Sequence, residues 1–196
     1  MELTQEISTA IDKPILEVIE KRRSLRAYSP QSLSIEQIET LFEAARWAPS
    51  SVNEQPWMFV FATQDQTDLW ERIFDSLSEG NKTWATNAPL LIVSMARTSF
   101  SRNGLPNPTA SYDLGGANAF LSLQATAMGL NVHQMGGYDR DILRRNLNIP
   151  DNFELGVVMA VGFSGSPETL PDNLRIRELA PRSRKLRSAF VMNKTF

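Results

Sequence analysis

"RWAPSSVNEQPWMF", residues Arg46 to Phe59, joins an apolar helical pattern to an apolar strand pattern through seven small, polar or breaking residues. Upstream, Ile35, Ile38, Leu41, Phe42 and Ala45 recur at helical spacing, behind a Ser34–Gln37 capping box. Pro49 stops that helix. After Pro56, "PWMFVFAT" reads as a buried strand. Ser50, Ser51, Asn53 and Gln55 offer donors and acceptors on a loop held between rigid elements, where binding residues concentrate. An ordinary connecting loop, with Asn and Ser supplying turn chemistry, has the same composition.

Outward from this stretch, helices and strands mix without a regular strand–helix alternation. Asp12-Lys13-Pro14 reads as a helix start, with Ile15, Leu16, Val18 and Ile19 as its buried stripe and Arg22 and Arg23 at its end. A weaker helix is expected over 66–79, a second buried strand at "PLLIVSM" (Pro89 to Met95), and a mobile loop over Thr98 to Pro108. Asp113 to Met128 is alanine-rich and almost without charge, so it should be a helix buried on most sides, ended by Gly129. "LNVHQM" follows as a strand, Asp139 caps a helix to about Leu147, and Leu155 to Ser164 is the last clear strand. The tail from Pro171 reads as extended. This order favours an α+β fold, a sheet flanked by helices, in one domain over 1–196.

Composition narrows the chemistry. The 196 residues carry a formal charge of −2 and are 42% hydrophobic. Net acidity gives no general reason to bind nucleic acid or an anionic membrane, so any basic site is local. With no cysteine and one histidine, His133, the chain lacks a thiolate nucleophile, a disulfide and a paired-histidine metal motif. The expectation is no metal. The N-terminus has no apolar secretory core, and no apolar run approaches the ~20 residues that cross a bilayer, so a cytoplasmic protein is expected. A serine hydrolase fits poorly, since no GxSxG elbow is present. Asp139 and Asp141, two apart on a helix, do not face one site.

No P-loop or GxGxxG occurs, so a bound nucleotide phosphate would need side chains. "RRSLRAYSP" supplies them: Arg22, Arg23, Ser24 and Arg26. Guanidinium forks match phosphate oxygens. A solvated helix end is the bland alternative, and the late pair Arg182 and Arg184 has the same two readings. In "HQMGGYD", Gly136 and Gly137 would let backbone approach a ligand closely, or simply turn the chain. His133 is expected to be packed or hydrogen-bonded.

"VIEKRRSLRAY", "LFEAARWAPSSVNEQPWMFV" and "LSLQATAMGLNVHQMGGYD", with the tail "PRSRK", together resemble the FMN-dependent nitroreductase family from about Ile15 to Arg187. The resemblance implies a homodimer with FMN at the subunit interface, a central dimer helix over Asp113 to Met128, and a C-terminal tail that wraps the partner subunit and brings Arg182 and Arg184 to the phosphate. It assigns Arg22, Arg23 and Ser24 to the phosphate and ribityl end, and Arg26 to the N1 and C2-oxygen edge of the ring. Pro49, Ser50, Ser51, Asn53 and Gln55 match the partner's loop. Asn81 matches a residue at the ring edge, and Met135, Gly136 and Gly137 the backbone near N5 and O4. Arg182 and Arg184 match a second phosphate clamp. No side chain is assigned as an acid–base catalyst. Many members carry an acid at Gly136 and a base at Trp84, near the ring; these departures bear on substrate and nicotinamide preference. The activity implied is reduction of nitroaromatic or quinone-like acceptors by NADH or NADPH in a ping-pong cycle. The same scaffold also fits azo or enone reduction, dehalogenation, dehydrogenation, or a flavin-binding redox sensor.

Overall fold

The structure, a computed structural model, describes residues 7–195. Strands β1 (Ile7–Ser8), β2 (Trp57–Thr63), β3 (Leu90–Arg97), β4 (Leu130–Met135), β5 (Phe153–Phe163) and β6 (Arg184–Lys185) are joined through helices α1 (Glu17–Lys21), α2 (Ile35–Arg46), α3 (Thr67–Phe74), α4 (Glu79–Ala85), α5 (Ala110–Ala127), α6 (Arg140–Asn146) and α7 (Asp172–Leu179). The main sheet has the order β2-β3-β5-β4, and β1 pairs with β6 apart from it. Among the described residues every sheet pairing is antiparallel. The fold is α+β.

β3 and β5 are central and apolar along both faces, as strands covered on two sides must be. One face packs on α2 and α5 through Leu41, Ile92, Leu121, Met159 and Val161. The other packs under α3, α4, α6 and α7 through Trp70, Ile73, Trp84, Leu91, Leu143 and Val158. The register slips between Val93 and Met95. There Ser94 Oγ bonds Val157 N–H and Asn118 Nδ2, replacing ladder bonds lost at the bulge. A side chain at Gly156 would meet Ser94 Oγ at 2.8 Å and Leu114 at 2.7 Å, so this contact requires glycine.

The α2 cap forms as read: Ser34 Oγ accepts from Gln37 N–H, and Gln37 Oε1 from Ser34 N–H. Asp139 caps α6 by accepting from Asp141 and Ile142 N–H. Gly129 follows α5 at φ +74°.

Six expectations need correction. α1 has five residues, starts after Leu16, and leaves Ile15, Leu16 and Ile19 exposed; its stripe has too little of its own chain to cover it. β2 is an edge strand, half-buried rather than buried, with Met58 exposed. The helix expected over 66–79 ends at Phe74, and α4 begins separately at Glu79. The loop over 98–108 is closed on itself, by a Ser99–Pro106 bridge and an Asn107 N–H bond to Thr98 O. α5 starts at Ala110; within one chain it is buried on one side, and Tyr112, Gly115, Ala119 and Phe120 face outward. The tail is not extended from Pro171, because α7 intervenes; beyond it, β6 pairs with β1 of its own chain.

Candidate functional site

The chain leaves α1 at Lys21 and runs extended to Tyr28, which bridges to Ser164 beside the end of β5. This segment carries Arg22, Arg23, Ser24 and Arg26. Arg22 Nη1 donates to Ser24 Oγ at 3.2 Å. Arg182 Nη1 donates to Arg22 O at 2.7 Å, and its Nη2 donates to Glu20 O. Arg184 lies beside them on β6. Burial holds the Arg22 guanidinium below its usual arginine range, with Arg182 and Arg184 adding like-charge repulsion. No ion pair neutralises these three arginines among the described residues. A group of donors with its own charge unbalanced is suited to an anion bearing several oxygens. Arg182 and Arg184 reach Arg22 of their own chain, without the crossing to a partner that the resemblance implied.

Arg23 is placed differently. Its Nη2 donates to Glu178 O at 2.9 Å and Ala180 O at 3.0 Å, tying the segment to the end of α7. Arg26 lies mostly buried with its guanidinium 6.0 Å from the Trp84 ring centre. Trp84 is 1% exposed and packs against His133 and Tyr28, so it supports Arg26 from the core and does not face a ligand, as its place in the resemblance had suggested. His133 is packed as expected, with Nδ1 3.1 Å from Leu25 O.

Asn81 and Gly137 meet. Asn81 Nδ2 and Ser78 N–H both donate to Gly137 O, at 2.9 and 3.0 Å. An added Cβ at Gly137 would lie 2.9 Å from Asn81 Nδ2. Gly136 and Gly137 are exposed at the end of β4, whereas the Met135 side chain is buried in the core, leaving its backbone for any ligand.

The loop Pro49 to Gln55 forms a second centre. Ser51 N–H donates to buried Asp113 Oδ2 at 3.1 Å, and Gln55 N–H to Ser50 Oγ at 3.0 Å. Val52, Asn53 and Gln55 hold φ values of 49°, 56° and 53°, costly for side-chain-bearing residues and worst for a β-branched one. Glu54, between them, accepts from Ser101 N–H at 2.6 Å and so ties the loop over 98–108 to this segment. No hydrogen bond or ion pair among the described residues joins this loop to the arginine group.

The sequence therefore supplied three groups of candidate residues, the arginine segment, Asn81 with Gly136 and Gly137, and the loop from Pro49 to Gln55, and the fold gathers each one separately. Glu178, Asp113 and Glu54, which tie these segments down, were not singled out. Asp113 had a signal, as the one acid in an otherwise apolar helix; Glu178 had none, because α7 was not anticipated.

Residues 19–83 and 68–163 match the Nitroreductase family. A protein of Archaeoglobus fulgidus, named provisionally as an NADH dehydrogenase/NAD(P)H nitroreductase, is 32% identical over 152 residues, covering 76% of this chain and 84% of the relative. A solved oxidoreductase containing FMN is 34% identical with a TM-score of 0.90, covering 95% of each chain. Iodotyrosine deiodinase 1 of Sus scrofa is 27% identical over 184 residues, covering 80% of this chain and 63% of the relative. The chain belongs to the nitroreductase family and is an oxidoreductase of that type. Among the described residues no cluster of His, Asp and Glu is suited to a metal, and no helix is long and apolar enough to cross a membrane.

Proposed function

We propose that residues 1–196 form one FMN-binding domain that takes electrons from NADH or NADPH and reduces nitroaromatic or quinone-like acceptors. The observation that carries this reading is the crowding of Arg22, Arg182 and Arg184 without a balancing carboxylate, beside a mostly buried Arg26. The donors fit the group: guanidinium and hydroxyl for a phosphate, a fixed cation for a ring edge, and glycine backbone where a flat ring would approach.

Bound there, FMN would supply a two-electron carrier that accepts hydride from the nicotinamide and passes electrons to the acceptor. Arg22, Ser24, Arg182 and Arg184 hold the phosphate and ribityl end. Arg23 stands alongside and fixes the segment to α7. Arg26 stabilises negative charge where reduction places it. Asn81 and the backbone of Met135, Gly136 and Gly137 frame the ring. No side chain needs to act as acid or base, and protons come from solvent.

Pro49, Ser50, Ser51, Asn53 and Gln55 complete the site from a second copy of the chain. Two features support a homodimer: the loop does not meet the arginine group within one chain, and the outer face of α5 is apolar and uncovered.

The test is the visible spectrum of the purified protein before and after anaerobic NADH and NADPH. Flavin bands at about one FMN per chain that bleach support the reading and identify the donor. A colourless protein that refuses added FMN overturns it. Flavin bands that neither donor bleaches would leave the sensor reading. The deiodinase relative favours one alternative on this scaffold, reductive dehalogenation; a panel of nitroaromatic, quinone and halogenated phenol acceptors, read by reoxidation, separates the two.

A further inference from the structure

Glu178 is a buried carboxylate that the proposed function does not use. It lies in α7 and is 5% exposed. Its Oε1 accepts from Arg26 N–H at 2.7 Å and Ala27 N–H at 3.0 Å. Its main-chain oxygen accepts from Arg23 Nη2. One residue thus holds three residues of the "RRSLRAY" segment, Arg23, Arg26 and Ala27. Its Oε2 is different. It is buried, makes no hydrogen bond among the described residues, and lies 3.8 Å from Arg26 Nη1. That is an ion-pair distance, too long for a hydrogen bond.

Burying a carboxylate is costly unless it is well paired, and here the pairing is incomplete. Docking α7 does not require the charge, since a neutral amide oxygen could accept from the same two N–H groups, though more weakly. What a carboxylate alone adds is negative charge beside Arg26. The other titratable groups around the pair are Arg177, His133 and Tyr28.

We propose that Glu178 is a positioning residue of the site: it clamps the backbone at Arg26 and offsets part of the guanidinium charge, so that it sets how strongly Arg26 favours negative charge on the bound ring. This rests on the flavin reading above. Two electrons and one proton delivered to the ring as hydride leave one negative charge at the edge that Arg26 faces. An unpaired arginine would stabilise that charge most. With Glu178 at its side, Arg26 stabilises it less, and the electrons pass more readily to the acceptor.

Glu178→Gln keeps an oxygen for the two N–H groups and removes the charge. In the FMN-loaded protein the reduction equilibrium should move about tenfold toward the reduced form, which is about 30 mV upward for a two-electron couple. Glu178→Asp withdraws the carboxylate by one methylene and should give a smaller upward shift. The order wild type, Asp, Gln is the signature, and the first two decide the matter if the Gln variant does not fold. A residue that only docks α7 would change stability and leave the potential where it is. Unchanged potentials, or a downward shift, overturn the tuning role.

A second arm needs no flavin. In the FMN-free protein, denaturant unfolding of Arg26→Gln, Glu178→Gln and the double variant should be non-additive. Additive effects overturn the charge coupling between Glu178 and the Arg26 guanidinium. A wild-type protein that takes up no FMN overturns the flavin reading and the tuning with it, while this cycle still decides the charge coupling.

Discussion

His133 shows how one residue's surroundings decide its chemistry. Burial, and then the charge of Arg26, pull its imidazole down from 6.5 to about 4. It is therefore neutral in the folded protein at neutral pH and a poor proton donor there. The unfolded chain binds a proton near pH 6.5 and the folded chain does not until about 4. The stability held by neutral His133 is complete above pH 6.5 and is lost as pH falls through the window to 4. A shift of this size corresponds to about 3 kcal/mol. Denaturant unfolding at steps across that window should show His133→Gln losing less stability than wild type; parallel acid limbs would remove the assignment. Gly137 makes a second residue-scale case. Gly137→Ala drives a methyl against Asn81 Nδ2 and Ser78 Oγ, so one of the two bonds to Gly137 O must move. Asn81 Nδ2 and Ser78 Oγ are both terminal atoms of side chains that can turn aside, so the expected loss is about 0.5–1 kcal/mol in thermal or denaturant unfolding. A loss well above that would mean that α4 holds Asn81 and Ser78 rigidly.

At the scale of elements, legibility followed whether local chemistry and burial agree. α2 was readable because its cap and its stripe both lie in the sequence. Ser34→Ala should cost about 1 kcal/mol in unfolding free energy, with Gln37 losing its reciprocal role. α7 was not readable: its two buried residues are Leu174 and Glu178, so a charge occupies one of the two positions that a hydrophobic stripe would mark. β2 looked like a buried strand because Phe59 and Phe61 pack on Phe42 while Ala62 enters the opposite core, making both faces apolar at the sheet edge. The polar loop after α2 was visible as a candidate binding loop, but its left-handed backbone was not, since nothing in Val52 announces φ of 49°. Val52→Gly removes the Cβ penalty and adds chain entropy to the unfolded state, for a net gain of up to about 1 kcal/mol. A measured loss would instead mean that the added chain entropy of the unfolded state outweighs the relief of backbone strain.

For the whole molecule, the sequence named candidate site residues but not how they are brought together. Arg22, Arg182 and Arg184 converge because α7 and the β1–β6 pairing return the tail to the first basic segment, a long-range closure that no local pattern encodes. The loop at Pro49 to Gln55 stays apart, and the surface near it remains apolar, with Trp47 70% and Tyr112 84% exposed and a groove lined by Phe42, Trp57, Met58 and Phe61. On the homodimer reading, this exposed apolar surface is the contact between the two copies. In a two-fold dimer the same patch meets itself, so one contact would place two loops at two arginine groups. Sedimentation equilibrium should give twice the chain mass. Phe120→Asp places charge on the outer face of α5, at a residue not assigned to the flavin, and should halve that mass. If the loop completes the partner's site, FMN should leave in step with dissociation, because each chain then keeps the phosphate clamp and loses the loop. Dissociated chains that retain FMN at full affinity would confine the site to one subunit and leave the strain at Val52, Asn53 and Gln55 without a role in binding.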